Sequence, residues 1–133
     1  MSIRIVRLGS PRLAREGPRL GTVRRPPRGV PKSEFSRRDF YDVWFPVLAP
    51  SVPTMKLGLA GRHDARQWAA FARRYAAEMK TPSARQALDL LAALSQRSNF
   101  SVGCYCEDEA RCHRSLLRQM LSARGAKIAT GRR

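Results

Sequence analysis

The 133-residue sequence has few acidic residues, few histidines and no long apolar run. Ten Asp and Glu stand against 26 Lys and Arg, which gives a formal net charge of +16. No apolar stretch approaches the roughly 20 residues that a membrane-spanning helix needs, and the start of the chain lacks the apolar region of a signal peptide. The three cysteines are grouped in nine residues, unlike an extracellular disulfide framework. These absences predict a cytoplasmic protein without a membrane partner.

The positive charge has two explanations, and the sequence leaves both open. Nucleic acids and other polyanions bind to basic surfaces through their phosphates. However, most of the basic residues are arginine and alanine is abundant, which the coding bias of a GC-rich genome also produces. Residues 1–40 contain eleven basic and three acidic side chains, a net charge of +8, so half of the excess lies near the N-terminus.

Alternating strand and helix patterns predict one α/β domain over residues 1–125, followed by a short basic tail at residues 126–133. The extended patterns predict strands at Ile3–Leu8, Leu20–Val23 and Asn99–Cys106, and a candidate edge strand at Lys127–Ala129. The segment 40–50 is cut by prolines and is interpreted as irregular chain that covers the core.

Helical periodicity predicts three helices. The first follows the capping residue Asp64 and the second follows Thr81, which precedes a proline suited to a first turn. The last runs from about Cys112 to Arg124 and ends at Gly125. Together with the strands, these helices predict a three-layer domain in which a small, mainly parallel sheet is flanked by helices.

The reactive side chains are concentrated at residues 102–114, between a predicted strand and a predicted helix. This segment holds all three cysteines, one of the two histidines and the only run of three acids. Proteins with parallel sheets bind ligands at this kind of edge. The helix start at Cys112-His113-Arg114 also offers free amides and a positive dipole end, which attract a phosphate or a carboxylate.

Several roles for the cysteines stay open. The field at the helix start favours the thiolate of Cys112, so Cys112 or Cys106 is a candidate nucleophile, with His113 as its base or orienting residue. Cys106 and Cys112 can also form a redox pair across the loop, or Cys112 can be a buried structural residue. Glu107, directly after the predicted strand, is a candidate general base, although consecutive acids in a loop are often only solvated.

Two further kinds of site are disfavoured by spacing. Zinc binding would use Cys104, Cys106, Cys112 and His113, but their spacing is not that of a zinc knuckle, so the sequence predicts no metal and no cofactor. A thiol-phosphatase loop needs a cysteine, five residues and an arginine. The sixth residue after Cys106 is Cys112, so this loop is not present.

A second basic segment, residues 23–32, has prolines that stiffen a loop carrying three arginines and Lys32. Guanidinium groups bind phosphate and carboxylate through two parallel hydrogen bonds. Arg25, Arg28 and Lys32 are therefore candidate ligand-binding residues, together with Arg114 of the cysteine segment. The alternative is a disordered basic linker.

The two segments together resemble the domain of unknown function 488 family, in its YeaO-like branch of uncharacterised bacterial proteins. The resemblance covers about residues 1–125 and rests on these motifs: Cys106 to Arg114, Arg25 to Lys32, Trp44, Leu48 to Ser51, and Phe71 to Tyr75. It implies a compact α/β fold and a site built from these residues: Arg25, Arg28, Gly29, Cys106, Glu107, Cys112, His113 and Arg114. The sequence departs from the family pattern at two positions. Arg24 stands where an aspartate is expected, and Cys104 is an extra thiol that we interpret as a small buried strand residue.

The sequence therefore predicts a small cytoplasmic protein with a site for a phosphate-bearing small molecule or nucleotide, and it leaves open whether a reactive cysteine makes it an enzyme. The alternative is a nucleic-acid-binding protein without sequence specificity, in which the Cys-His-Arg segment is structural. No recognised nucleic-acid motif supports this alternative. A structural zinc site is a third hypothesis. His63 is interpreted as a solvated neighbour of a helix cap, and the oligomeric state is not predicted.

Overall fold

The computed structural model describes residues 1–60 and 64–129, so His63 lies outside the described residues. The strands are β1 (Ile3–Arg7), β2 (Arg19–Gly21), β3 (Val43–Trp44) and β4 (Phe100–Cys104), and the helices are α1 (Val52–Ala60), α2 (Ala65–Glu78), α3 (Pro82–Leu94) and α4 (His113–Ala123). Short 3-10 turns lie at Lys32–Glu34, Pro46–Leu48 and Glu109–Arg111. None of the described helices has the length and apolar character needed to cross a membrane.

The four strands form one parallel sheet in the order β1-β4-β2-β3. The last strand in the chain, β4, therefore lies between the first two. At the outer edge of β1, the predicted strand at 127–129 is reduced to a single parallel bridge between Ile3 and Ile128. Because all four strands are parallel, their carboxyl ends lie at the same edge of the sheet.

The two faces of the sheet are covered differently. On one face, Ile5, Leu20 and Val102 lie in register and pack against the core formed with α2, α3 and α4. On the other face, Gly21 lies against the ring of Tyr41, which an added Cβ would approach within 2.4 Å. Irregular chain thus covers this second face. The predicted α/β class with a small parallel sheet is confirmed.

The second face also holds a buried ion pair between Arg19 and Glu16. Arg19 donates from Nε to Glu16 Oε2 at 2.7 Å and from Nη2 to Oε1 at 3.0 Å. Its Nη1 donates to the carbonyls of Ser10 and Asp39, and the Ser101 hydroxyl donates to Glu16 at 2.6 Å. The carboxylate and the guanidinium are therefore both compensated without water.

The three predicted helices are confirmed with their caps. Asp64 accepts hydrogen bonds from the backbone N–H groups of Arg66 and Gln67, and Thr81 accepts one from Ala84. The last helix ends before Gly125, which has a φ of +82°. Its first residue is His113, and Cys112 is its N-cap.

The prediction missed α1 and misplaced some boundaries. The α1 segment contains Pro53 and Gly58, which interrupt a helical pattern, yet an added Cβ at Gly58 would lie 2.8 Å from the Phe71 ring. Glycine therefore permits the close approach of α1 and α2. The segment 40–50 was predicted to be irregular but contains β3 and a 3-10 turn, and the strand predicted to reach Cys106 ends at Cys104.

Candidate functional site

A cleft of about 930 Å³ lies at the carboxyl ends of β1, β2 and β4. It is lined by five arginines and two acidic residues: Arg7, Arg24, Arg25, Arg28, Arg111, Glu107 and Asp108. Apolar and aromatic side chains, among them Phe40, Met55 and Tyr105, form the rest of its walls. The cleft therefore combines an excess of positive charge with an apolar surface.

The basic loop at residues 23–31 is held to the domain by hydrogen bonds and forms one wall of the cleft. The Trp44 indole donates to the carbonyl of Val23 at 2.8 Å, and the Tyr105 hydroxyl donates to the carbonyl of Arg25 at 2.9 Å. Arg24 donates to three backbone carbonyls, those of Pro46, Ala49 and Pro50. These bonds give Arg24 a structural use at the position where the family resemblance led us to expect an aspartate.

The candidate ligand-binding residues are divided between the cleft and its surroundings. Arg25 and Arg28 are exposed and line the cleft. Gly29, with a φ of +75°, and Lys32, at the start of a 3-10 turn, are exposed but are not among the lining residues. Arg114 is only 3% exposed and also lies outside the lining.

The predicted ligand-binding residues omit three arginines of the cleft: Arg7, Arg24 and Arg111. Arg7 is the last residue of β1, and its position at the end of a strand is the signal that could have identified it. Arg111 lies over the Trp68 ring, 5.8 Å from its centroid, a contact that the sequence does not reveal.

The three cysteines converge beside the cleft, which Cys104 and Cys106 line, and we call Cys104, Cys106 and Cys112 the sulfur cluster. Their Sγ atoms all lie within 4.8 Å of one another, and those of Cys104 and Cys112 are 2.9 Å apart. All three are free cysteines. Cys104 is buried, as predicted for a strand residue, but it also belongs to the cluster.

The negative charge of the sulfur cluster is held by Cys112. Hydrogen bonds from Cys104 and Cys106 lower the pKa of Cys112 to about 3, against the opposing effect of burial and with support from the Arg114 charge. The pKa of Cys104 is raised by its hydrogen bonds to the other two sulfurs and by burial. For Cys106, the bond with Cys104 lowers the pKa, but the bond with Cys112 and burial outweigh it.

His113 is a buried, neutral imidazole beside Cys112. Its Nε2 lies 2.7 Å from the carbonyl oxygen of Thr22, and because a carbonyl only accepts, Nε2 carries the proton. Burial lowers the pKa of His113 to about 4. The unprotonated Nδ1 therefore faces the Cys112 sulfur at 3.8 Å.

Arg114 is buried next to the sulfur cluster and has an unusual set of partners. Its Nη2 donates to the carbonyl of Cys106 at 2.6 Å, while its Nε has no hydrogen-bond partner in the described part of the chain. Burial lowers the pKa of Arg114, but the charges and hydrogen bond of the cysteines outweigh this effect. The Cys112 sulfur is therefore the main counter-charge of this guanidinium, ahead of Cys104 and the Glu109 carboxylate.

The three consecutive acids have separate positions. Glu107 lines the cleft with 84% of its side chain exposed and lies 3.6 Å from Arg7. Asp108 accepts from the backbone N–H of Ala110, and Glu109 pairs with Arg118 at 2.7 Å. Asp108 and Glu109 thus help to fold the loop, and the two acids that line the cleft are Glu107 and Asp108.

The fold and the site define a small parallel α/β protein with an arginine-lined cleft and a cysteine-histidine floor. A family model described as the active DUF488-N3 subclade matches residues 3–125. The chain belongs to this family, which confirms the resemblance to the domain of unknown function 488. No curated protein and no solved structure matches the chain.

Proposed function

We propose that this protein binds a phosphate-bearing small molecule of the nucleotide class in the arginine-lined cleft. The observation that carries the proposal is the combination of exposed guanidinium groups with apolar and aromatic walls around one cavity. Three free thiols in reach of one another also support a reducing, cytoplasmic setting.

Arg25 and Arg28 are the residues best placed to hold the phosphate. Both side chains are exposed, and neither has an ion-pair partner within residues 1–60 and 64–129. Each guanidinium can therefore offer two parallel N–H groups to a phosphate without breaking an existing pair. Because the loop is hydrogen-bonded to the domain, the backbone of Arg25 and Arg28 is already ordered, which lowers the conformational entropy lost on ligand binding.

The size and lining of the cleft favour more than inorganic phosphate. Its volume of about 930 Å³ lies in the range of small-molecule sites. The rings of Tyr105 and Phe40 make an edge-to-face contact with their centroids 6.3 Å apart, and they offer aromatic surface to a flat base. A nucleoside monophosphate would use both the guanidinium groups and this apolar surface.

The reactive-cysteine hypothesis stays a prediction because the two properties of a nucleophile are divided. Cys112 has the lowered pKa but is only 2% exposed, whereas Cys106 lines the cleft with a raised pKa. A thiolate that titrates well below pH 8 and is alkylated on the same cysteine would support it; two cysteines that titrate only above about pH 8 would exclude it.

Calorimetric titration with AMP, adenosine and inorganic phosphate tests the proposal. We expect the chain to bind AMP more tightly than either component, and the Arg25→Ala, Arg28→Ala double variant to bind it at least tenfold more weakly. The matched control is Arg85→Ala, Arg97→Ala, which removes two exposed arginines outside the cleft lining. No AMP binding, or an equal loss in both double variants, would contradict the proposal.

The alternative nucleic-acid function is favoured by the net charge of +16. It predicts that single-stranded DNA binds with an affinity that falls steeply between about 50 and 200 mM salt, and that both double variants weaken it similarly. The nucleotide proposal instead predicts a loss confined to the cleft variant.

A further inference from the structure

We propose that the sulfur cluster and His113 form a site for a soft divalent metal ion such as Zn²⁺, with three thiolates and the His113 Nδ1 as ligands. The ligands of this site differ from the proposed nucleotide contacts, which are made by the arginines of the cleft wall, although Cys104, Cys106 and His113 also line the cleft. Metal uptake is therefore tested without nucleotide, and nucleotide binding without metal.

The first observation that supports a metal site is the spacing of the three sulfur atoms. A tetrahedral zinc site has Zn–S distances of about 2.3 Å, which place its sulfurs about 3.8 Å apart. The cluster already holds its sulfurs within 4.8 Å of one another, and the close Cys104–Cys112 pair at 2.9 Å needs to open by about 0.9 Å. The spacing in the sequence argued against zinc, but the turn after β4 brings Cys106 back beside Cys104 and the helix start.

The second observation that supports a metal site is the orientation of the His113 ring. Histidines that bind metals commonly donate their other ring N–H to a backbone carbonyl or a carboxylate, which fixes the tautomer. Nε2 of His113 makes such a bond to the Thr22 carbonyl at 2.7 Å, and its Nδ1 lies 3.8 Å from the Cys112 sulfur. The imidazole is thus already in the tautomer that a metal ion at the cluster requires. Of the four proposed ligand atoms, only the three sulfurs lie within 4.8 Å of one another, so the ring must move towards the cluster to supply the fourth ligand.

The third observation is that the site has a compensating positive charge and a path by which an ion can enter. Three thiolates and one divalent cation have a net charge of −1, and the buried Arg114 beside the cluster supplies the compensating positive charge. A small cavity of about 50 Å³ reaches Cys106, Cys112 and His113. Together with the cleft above, it gives an ion a path to the buried ligands.

Cobalt titration of the full chain tests the site. The protein is reduced with a phosphine, freed of metal with a chelator that is then removed, and titrated with Co²⁺ without nucleotide. We expect one Co²⁺ per chain, with the intense visible bands of tetrahedral cobalt and a near-ultraviolet thiolate-to-cobalt band, and displacement of both by Zn²⁺. Weak octahedral bands, or no binding by folded reduced protein, would overturn the proposal.

The ligands are distinguished by variants at the partly exposed cysteine and at a neighbouring acid. Cys106→Ser is expected to weaken Co²⁺ binding at least 100-fold and to reduce the thiolate-to-cobalt band, while circular dichroism reports whether it folds. Glu107→Gln, the matched control in the same loop, should bind Co²⁺ like the parent. Equal affinity in both variants would overturn the thiolate assignment.

Two further measurements separate this proposal from its rivals. Mass spectrometry of unreduced protein reports a Cys104–Cys112 disulfide as a loss of two hydrogens; a disulfide together with no metal uptake after reduction would make the cluster a redox pair and overturn the metal site. Nucleotide titrations repeated with chelator present show whether the cleft binds its ligand without metal, so either proposal can fail alone.

Discussion

Two arginines are buried in the described part of the chain, and their surroundings differ. Arg19, which is 0% exposed, has a carboxylate partner and two carbonyl partners, and its carboxylate is completed by the Ser101 hydroxyl. Arg114 has one carbonyl and a cysteine thiolate as its counter-charge, and its Nε is unsatisfied among the described residues. The first arrangement is complete and serves the fold. The second is incomplete, as is common where a protein must keep a group available.

Loss of Arg19 should have the largest effect on stability. Arg19→Met leaves Glu16 buried without its cation, and protonating a carboxyl of ordinary pKa at pH 7 costs about 3.7 kcal/mol. We therefore expect urea unfolding at pH 7 to show a loss of about 3–5 kcal/mol. The exposed control Arg85→Met should change stability by less than about 0.5 kcal/mol, and a similar value for Arg19→Met would contradict the comparison.

The same variant should recover stability in acid. In Arg19→Met, folded Glu16 is protonated while the unfolded chain ionises above about pH 4.3, so the deficit should shrink by about 1.4 kcal/mol per unit between pH 7 and about 4.5. In the parent, burial raises the pKa of Glu16, but hydrogen bonds from Arg19 and Ser101 lower it below the ordinary value. The parent therefore loses this stabilisation only as the pH falls through that lower pKa. Urea unfolding of the parent and of Arg19→Met from pH 7 to 3 tests both expectations. A stability difference that stays constant with pH would show that Glu16 stays ionised in the variant.

Removal of the Ser101 hydroxyl should have an intermediate effect. Ser101 donates to Glu16 at 2.6 Å in the buried cluster, and a hydrogen bond to a charged group contributes about 1.5–3 kcal/mol. Thermal and urea unfolding of Ser101→Ala should show a loss in this range. Ser122→Ala, at an exposed position of α4, is the control, and equal values for the two would show that the carboxylate finds another donor.

Loss of Arg114 should have a clear effect on a thiol, and much of its effect on stability should follow from that thiol. The Cys112 thiolate that loses its cation binds a proton more readily, because the ordinary cysteine pKa is about 8.5. Arg114→Met should therefore cost about 1 kcal/mol for the carbonyl hydrogen bond that it removes, and about 1.4 kcal/mol more at pH 7 for each unit by which the pKa of folded Cys112 rises.

The thiol itself is followed by ultraviolet thiolate absorbance against pH in reduced, chelator-treated protein. The parent should keep the Cys112 thiolate at pH 6, since its neighbours lower the pKa to about 3. Arg114→Met should raise that pKa. An unchanged titration would show that the cysteine hydrogen bonds alone hold the charge.

Local signals in the sequence accounted for much of the fold. The caps Asp64 and Thr81 and the terminal Gly125 predicted the helices because capping depends on a few neighbouring residues. Helix α1 was missed because its Gly58 is explained only by contact with Phe71 of another helix. The sheet order was likewise not predictable, because β4 pairs with strands about 80 to 100 residues earlier in the chain.

The candidate site was predictable in part for the same reason. The strand–loop–helix pattern located residues 102–114, and the two motifs together located the cleft wall at Arg25 and Arg28. Which side chains face inward depends on tertiary packing, so the burial of Arg114 was not foreseen. Convergence of Cys104 with Cys112 was also hidden, since it depends on how the chain turns between β4 and α4.

The central position of β4 has a consequence for the order of assembly during synthesis. Until residues 100–104 have left the ribosome, β1 lacks its neighbour β4 and β2 can pair only with β3, because β4 lies between β1 and β2. The long sequence separation of the contacts with β4 is typical of slow folding, and the unpaired strand edges are exposed to wrong partners while the chain waits. The cysteines arrive with β4 and the residues just after it. The chemistry of this protein is therefore assembled in the same late step that completes its sheet.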